Sequence, residues 1–457
     1  MRSLAFLAVL LVVSVASASA SASASAAASA ATPQHKGRKG FSLEATKNSN
    51  SKPDFVREWV AAHQKWGKGV SPETLSAFSL LDDDGRVDVK PLGADEIYIA
   101  DVKVGNPPQT LKMALDTGSA DLYQRFMLTS TSGGCNLQTQ SIEPTLKVLG
   151  LLVTSPTLPR HLADFAMPNG KLSTVRIISR FIPWGHVVLT SLIVDGTHAN
   201  GIVYLDTVRL GDFELNNTAI QSAQIVAPRF ERETELTGIL GLAKSLPSNI
   251  DPPTPSLLDK LRPLLADPVF TVDMRRNATG RFDFGYIDEN RAKDNISWMA
   301  TREDSPHWDV TFDTTAWTGL RQVWMAHTFE ATIDTGTTLL FLPGDLASMY
   351  WYDVPDMRVD PRLGDSFTFP CKFSNDLPDL MFKVPGTEHV LRIPGPYLSY
   401  STTDNDSDYC WGGLQSAESL GVTIIGDIAL KALYVAFDLE NNKVGFANKD
   451  LDDVDDW

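Results

Sequence analysis

The sequence predicts an all-β protein, and three observations carry that class. From Asp95 onward the chain is built of short runs rich in Val, Ile, Tyr and Phe, such as "EIYIADVKVG", "LKMALDTG", "GIVYLDTVRLG" and "VFTVDM". Each is broken by Gly, Asn or Pro, the texture of strands joined by turns. Near the end, "KALYVAFDLENNKVGFAN" reads as a strand hairpin turning at "ENNK". Helical periodicity is scarce, and "PGDLASMYWYD" and "SLLDKLRPLL" are its best examples.

The first twenty residues, "MRSLAFLAVLLVVSVASASA", join one basic residue to a short apolar core and a small-residue cut near Ala18 or Ala20. They read as a secretory signal, 1–20, because the core is too short for a good membrane span. The expected destination is extracellular, with a vacuolar one open, and "NKDLDDVDDW" carries no lipid-anchor tail. Secretion permits disulfides, yet there are only three cysteines, Cys135, Cys371 and Cys410, which suggests one pair and one orphan. Asn216, Asn277, Asn295 and Asn405 head Asn-X-Ser/Thr glycosylation signals.

Residues 21–92 form a leader. After Ser/Ala-rich sequence at 21–31, "PDFVREWVAAHQKW" has helical spacing, with Phe55, Val56, Trp59, Val60 and His63 on one side. Up to Leu92 the chain carries eleven Lys/Arg and eight Asp/Glu, a net +3 against −16 for the whole, so the remainder carries −19. A basic leader ahead of an acidic body suggests a prosegment held electrostatically; the plainer alternative is an ordinary surface helix.

With 457 residues and 43% hydrophobic content, the chain is too long for one typical core and suits two large lobes or three domains. Its net charge of −16 argues against a nucleic-acid or anionic-membrane partner. No Cys/His cluster has metal-ligand spacing, no Gly-rich phosphate loop is present, and the eight His are scattered. No metal and no cofactor is therefore expected.

The body is internally duplicated. "MALDTGSADLY" around Asp116 repeats as "ATIDTGTTLLF" around Asp334. Downstream of each comes an apolar-apolar-Gly: "GILGLA" ending on Gly241 and "TIIGDIAL" around Gly426. One Asp-Thr-Gly is weak evidence, but two with matching partners are strong. In each copy the Gly allows close backbone approach, and the Thr hydroxyl can reach across to the other copy. Two such loops meeting at a pseudo-twofold axis set two carboxylates side by side. Like charges so close share one proton, so one carboxyl can serve as base to a water while the other polarises a peptide carbonyl.

At these residues the chain resembles the pepsin-like aspartic proteases, in particular the secreted fungal type. The resemblance covers most of Asp95 to Asn448 and includes "VGNPPQ", "FDFGYID", "LPDLMF" and "CWGGLQS". It implies a bilobal all-β fold with a peptide-binding cleft between a lobe at 93–268 and another at 269–457. It implies Asp116 and Asp334 as the catalytic pair, with Thr117, Gly118, Ser119, Thr335, Gly336 and Thr337 supporting them. Thr338, Asp195 and Gly196 would contact substrate, and Cys371 would pair with Cys410. "QKWG" is similar to the family's prosegment Lys-Tyr-Gly, which makes Lys65 the cap on the pair before activation.

One segment departs from the family. Asp116 to Gly241 spans 125 positions but Asp334 to Gly426 only 92, an excess of 33. The excess falls in 124–194, which carries six Lys/Arg, only Glu143 and Asp164 as acids, and the orphan Cys135. Ile193 and Val194 stand where the family has Tyr-Gly at the tip of its flap. Either this is an insertion with a remodelled flap, or the translated segment departs from the natural one through a retained intron or shifted frame. The joint failure of charge, cysteine and pattern favours the second.

The expected function is a secreted, self-activating aspartic endopeptidase working at acid pH on protein or peptide substrates, as a monomer. The rival is a weak or inactive peptide-binding protein of the same fold, crippled at the flap. A carbohydrate binder has only secretion and scattered Trp in its favour.

Overall fold

The computed structural model describes residues 39–47, 54–67, 70–71, 74, 98–120, 122–125, 188–194, 197–226, 236–244, 254–319, 324–403 and 406–451. The signal segment, Cys135, Asp195, Gly196, Asn405 and most of 124–194 lie outside them. Among the described residues the strands form sheets of thirteen, seven and four.

The leader contributes a strand of its own, β1 (Phe41–Lys47). Its alternation places Phe41, Leu43 and Ala45 inward and Ser42, Glu44 and Thr46 outward. β1 pairs antiparallel with Gly280–Phe284 on one side, Phe41 opposite Phe284. On the other it meets β2 (Tyr98–Val104), Thr46 opposite Ile99. It thus stands in the middle of the thirteen-stranded sheet, between strands from early and late in the chain. Phe41 stacks on Phe284 at 4.7 Å, and Phe284, Phe270 and Phe437 continue the stack. Burying each ring contributes about 1.5–3 kcal/mol, so the leader is anchored through the core as well as by charge.

The helix α1 (Phe55–Trp66) starts at Asp54, whose carboxylate accepts the Arg57 N–H, and ends at Gly67. Phe55, Val56, Trp59, Val60 and His63 are all buried. Phe55 stacks on Trp411 at 4.3 Å, and His63 meets Phe341 edge-on at 5.9 Å.

β3 (Gln109–Asp116) pairs antiparallel with β2 and parallel with Gly238–Gly241, bringing Asp116 opposite Gly241. In the seven-stranded sheet, Met325–Ile333 runs parallel to Ile424–Ile425, with Ile333 opposite Ile425. The next step along each chain is Asp334 and Gly426, so the two duplicated motifs occupy equivalent positions. The four-stranded sheet pairs Phe369 with Cys410, and the disulfide Cys371–Cys410 closes beside it.

One local expectation is corrected. "SLLDKLRPLL" is α-helical only over Leu257–Leu261 and tightens to a 3-10 turn at Arg262–Leu264. Pro263 has no N–H to continue the helix ladder. Within 124–194, Val188–Val194 forms a strand. This β-branched run pairs antiparallel with Thr197–Val203, Val194 opposite Thr197.

Candidate active site

Each acid ends an apolar strand and is held by the loop that follows. Asp116 Oδ1 accepts the Gly118 N–H at 2.8 Å and Oδ2 the Ser119 hydroxyl at 2.7 Å. Asp334 repeats the pattern, Oδ1 accepting the Gly336 N–H at 2.9 Å and Oδ2 the Thr337 hydroxyl. Both acids are buried, with side-chain exposures of 7% and 0%. Such burial is tolerated because the oxygens are hydrogen-bonded.

The loops are tied together by Thr117 and Thr335. The Thr117 N–H donates to Thr335 Oγ1 at 3.1 Å, and the Thr335 N–H to Thr117 Oγ1 at 2.9 Å. Each hydroxyl then donates across to the opposite strand, Thr117 to Ile333 O at 2.8 Å and Thr335 to Leu115 O at 2.7 Å. The close approach demands glycine next. A Cβ on Gly118 would collide with the Asp334 carboxylate, and one on Gly336 with that of Asp116. The two carboxyls act electrostatically on one another.

The leader reaches this pair from the end of α1. Lys65 Nζ lies 2.8 Å from Asp116 Oδ1 and 3.1 and 3.0 Å from Asp334 Oδ1 and Oδ2. Burial works against the ammonium, but the two carboxylates outweigh it and raise the Lys65 pKa above its usual value. Burial likewise pushes Asp116 up, but Lys65 and the hydrogen bond from Ser119 hold it below the ordinary carboxylate value. Asp334 is held above that value, by burial and by the neighbouring Asp116 charge, despite Lys65. The pair is thus electrostatically split while sharing one cation.

Three contacts here were not read from the sequence. The Trp66 indole N–H donates to Asp334 Oδ2 and Thr337 Oγ1, both at 3.1 Å. Thr338 donates to Glu58 Oε2 at 2.8 Å, a buried acid of α1. His307 packs edge-on against Trp66 at 4.7 Å. The place of Trp66 beside Lys65 was the available signal for the first; a Glu amid apolar helix positions, two turns before Lys65, was the signal for the second. Among the described residues no group of three or more His, Cys, Asp or Glu could hold a metal.

Known proteins share this arrangement of sequence. Podosporapepsin from Podospora anserina is 32% identical over 403 residues, covering 87% of this chain and 84% of that protein. Endothiapepsin from Cryphonectria parasitica is 32% identical over 364 residues, 78% of this chain and 76% of its own. Aspergillopepsin-1 from Aspergillus oryzae is 30% identical over 420 residues, 91% and 95% of the two chains. The family model for eukaryotic aspartyl proteases matches residues 97–140 and 193–449. Its unmatched interval, 141–192, lies inside the segment whose charge and pattern stand apart. With most of its length matched, the chain belongs to the eukaryotic aspartyl protease family.

Proposed function

We propose that this chain is a secreted aspartic endopeptidase, made as a zymogen, that hydrolyses peptide bonds at acid pH with Asp116 and Asp334. The observation that carries this reading is the mirrored pair of acids, each buried, each held by its own loop, and both within hydrogen-bonding reach of one leader cation.

With Lys65 withdrawn, the uncovered carboxyls share one proton. The ionised one takes a proton from a water, whose oxygen attacks the peptide carbonyl carbon. The protonated one hydrogen-bonds the carbonyl oxygen and stabilises the tetrahedral intermediate. Return of a proton to the amide nitrogen releases the amine. Cross-bonding by Thr117 and Thr335 keeps the carboxyls in register, and buried partners remove the need for reorganisation.

The leader is proposed as the inhibitor, since Lys65 and Trp66 occupy the hydrogen-bonding positions on Asp334 that water and substrate need. Secretion rests on the 1–20 segment, and glycosylation on Asn216, Asn277 and Asn295, which are exposed. The test is a pH–rate profile of the leader-free protein on peptides. A bell with both limbs in the acid range supports the reading. A rate that climbs to a plateau at neutral pH, or that a metal chelator abolishes, refutes it. Tight binding of peptides without turnover would favour the rival, a peptide-binding protein.

A further inference from the structure

We infer that His307 is a substrate-recognition residue, which favours an acidic side chain next to the bond being cut once the leader has gone. This rests on the reading of Asp116 and Asp334 as the peptide-cleaving pair, and goes beyond it by naming a substrate class.

His307 lies just before the strand Asp309–Trp317. That strand pairs with Met325–Ile333, Asp309 opposite Thr332, and the Ile333 N–H donates to Trp308 O at 3.1 Å. One more step brings His307 level with Asp334. The backbone there is fixed on both sides. The His307 N–H donates to Ser305 Oγ at 3.0 Å, and the buried Trp308 donates its indole N–H to Leu242 O at 2.8 Å.

The ring, by contrast, is held by little. Its Nδ1 is buried without a hydrogen-bond partner among the described residues. Its aromatic contact is with Trp66, which belongs to the leader. A histidine serving only to pack the core would keep its cover and satisfy its nitrogens. This one is covered by a residue whose departure uncovers the catalytic pair at the same time.

Charge points to the ligand. The groups that act on His307 are Asp309, Asp334, Asp116 and Lys65; burial and Lys65 depress its pKa, and the three acids raise it. Loss of the leader removes Lys65 and the cover of Trp66, leaving the acids. Asp309 is already engaged by Ser305 at 2.5 Å, Thr332 at 2.5 Å and Arg302 at 3.1 Å, so it does not consume the imidazolium. Asp116 and Asp334 are each held by their own loop. An uncovered imidazolium beside the scissile bond suits a carboxylate, and offsets the repulsion that the shared-proton pair exerts on one. The preference needs an ionised Glu, above its usual pKa of about 4.3, and fades as the pH rises through that of His307, which burial depresses below the ordinary 6.5.

The test uses leader-free protein and peptides that differ only by Glu or Gln at either residue flanking the cleaved bond, with an apolar reference peptide to report folding and activity. At about pH 5, wild type should favour Glu over Gln at one flanking position by about tenfold in kcat/KM, the size of one charge-assisted hydrogen bond. His307→Phe and His307→Gln should both bring that ratio to about one or below, while still cutting the reference. The ratio should also fade as the pH falls through the Glu pKa. A wild-type ratio of one at both positions, or a ratio kept in both variants, overturns the inference. Failure of leader-free wild type to cut even the reference overturns the catalytic reading and this one with it.

Discussion

Thr117 and Thr335, 218 residues apart, exchange hydrogen bonds, each N–H donating to the other's hydroxyl at 3.1 and 2.9 Å. Both are buried, and each hydroxyl also donates to the strand entering the opposite loop. This is the link that turns two distant Asp-Thr-Gly sequences into one site.

Thr335→Val therefore leaves the Thr117 N–H and Leu115 O buried without partners. The expected loss is about 2–4 kcal/mol of stability, together with a fall in kcat larger than the change in KM, because the carboxyls lose their register. Urea unfolding and steady-state kinetics measure the two effects. An effect below about 0.5 kcal/mol, with unchanged kcat, would show that the cross-bond does not align the pair.

Lys65 sets a pH dependence on leader docking. The Lys65 cation favours ionised carboxylates, so docking is expected to weaken as falling pH protonates the pair. The sign agrees with Asp116, whose depressed pKa contributes to docking at pH above its ordinary 3.8 and is lost as pH falls through the depressed value. Lys65→Met should weaken docking by about 3–5 kcal/mol and move leader release toward neutral pH. The amount of released leader as a function of pH reports this, and an unchanged midpoint would contradict it.

His63 adds a second pH response. It stacks on Trp59 at 3.6 Å, its Nδ1–H donates to Trp59 O at 2.8 Å, and its Nε2 accepts from the Ser419 hydroxyl at 2.9 Å. Burial lowers its pKa from 6.5 to about 4. The docked form is therefore neutral where the released form is charged. Its contribution to docking is complete above pH 6.5 and is lost as pH falls toward 4, roughly 3 kcal/mol across the window. His63→Phe should move leader release to lower pH and flatten its dependence between those values. Release at the same pH with the same steepness would remove His63 from the trigger.

Legibility in the sequence followed the range of the signal. Asp116 and Asp334 could be read because each carries its signature within a few residues and the signature occurs twice. The buried face of α1 could be read from its period. The strand β1 has a clear alternation at Phe41, Leu43 and Ala45, but it was passed over because its partner Phe284 lies 243 positions away and the surrounding leader is basic and polar. Glu58 and Thr338 meet over 280 residues, and nothing local in either predicts the other. Lys65 was placed on the pair by resemblance, not by any property of its own surroundings. His307 read as one of eight scattered histidines because its significance lies in the register of a strand pair.

That Asp116 and Asp334 together cleave the peptide bond is the proposal on which the leader's role also depends. It is tested most directly by Asp116→Asn and Asp334→Asn, each freed of its leader by an added protease at an introduced cut site, since neither is expected to process itself. Circular dichroism and urea unfolding should show both folded. Their kcat on an apolar peptide at acid pH should fall by at least about a thousandfold, because each substitution removes either the base or the proton donor. A folded Asp116→Asn or Asp334→Asn protein that cuts the peptide at near wild-type kcat would contradict the account.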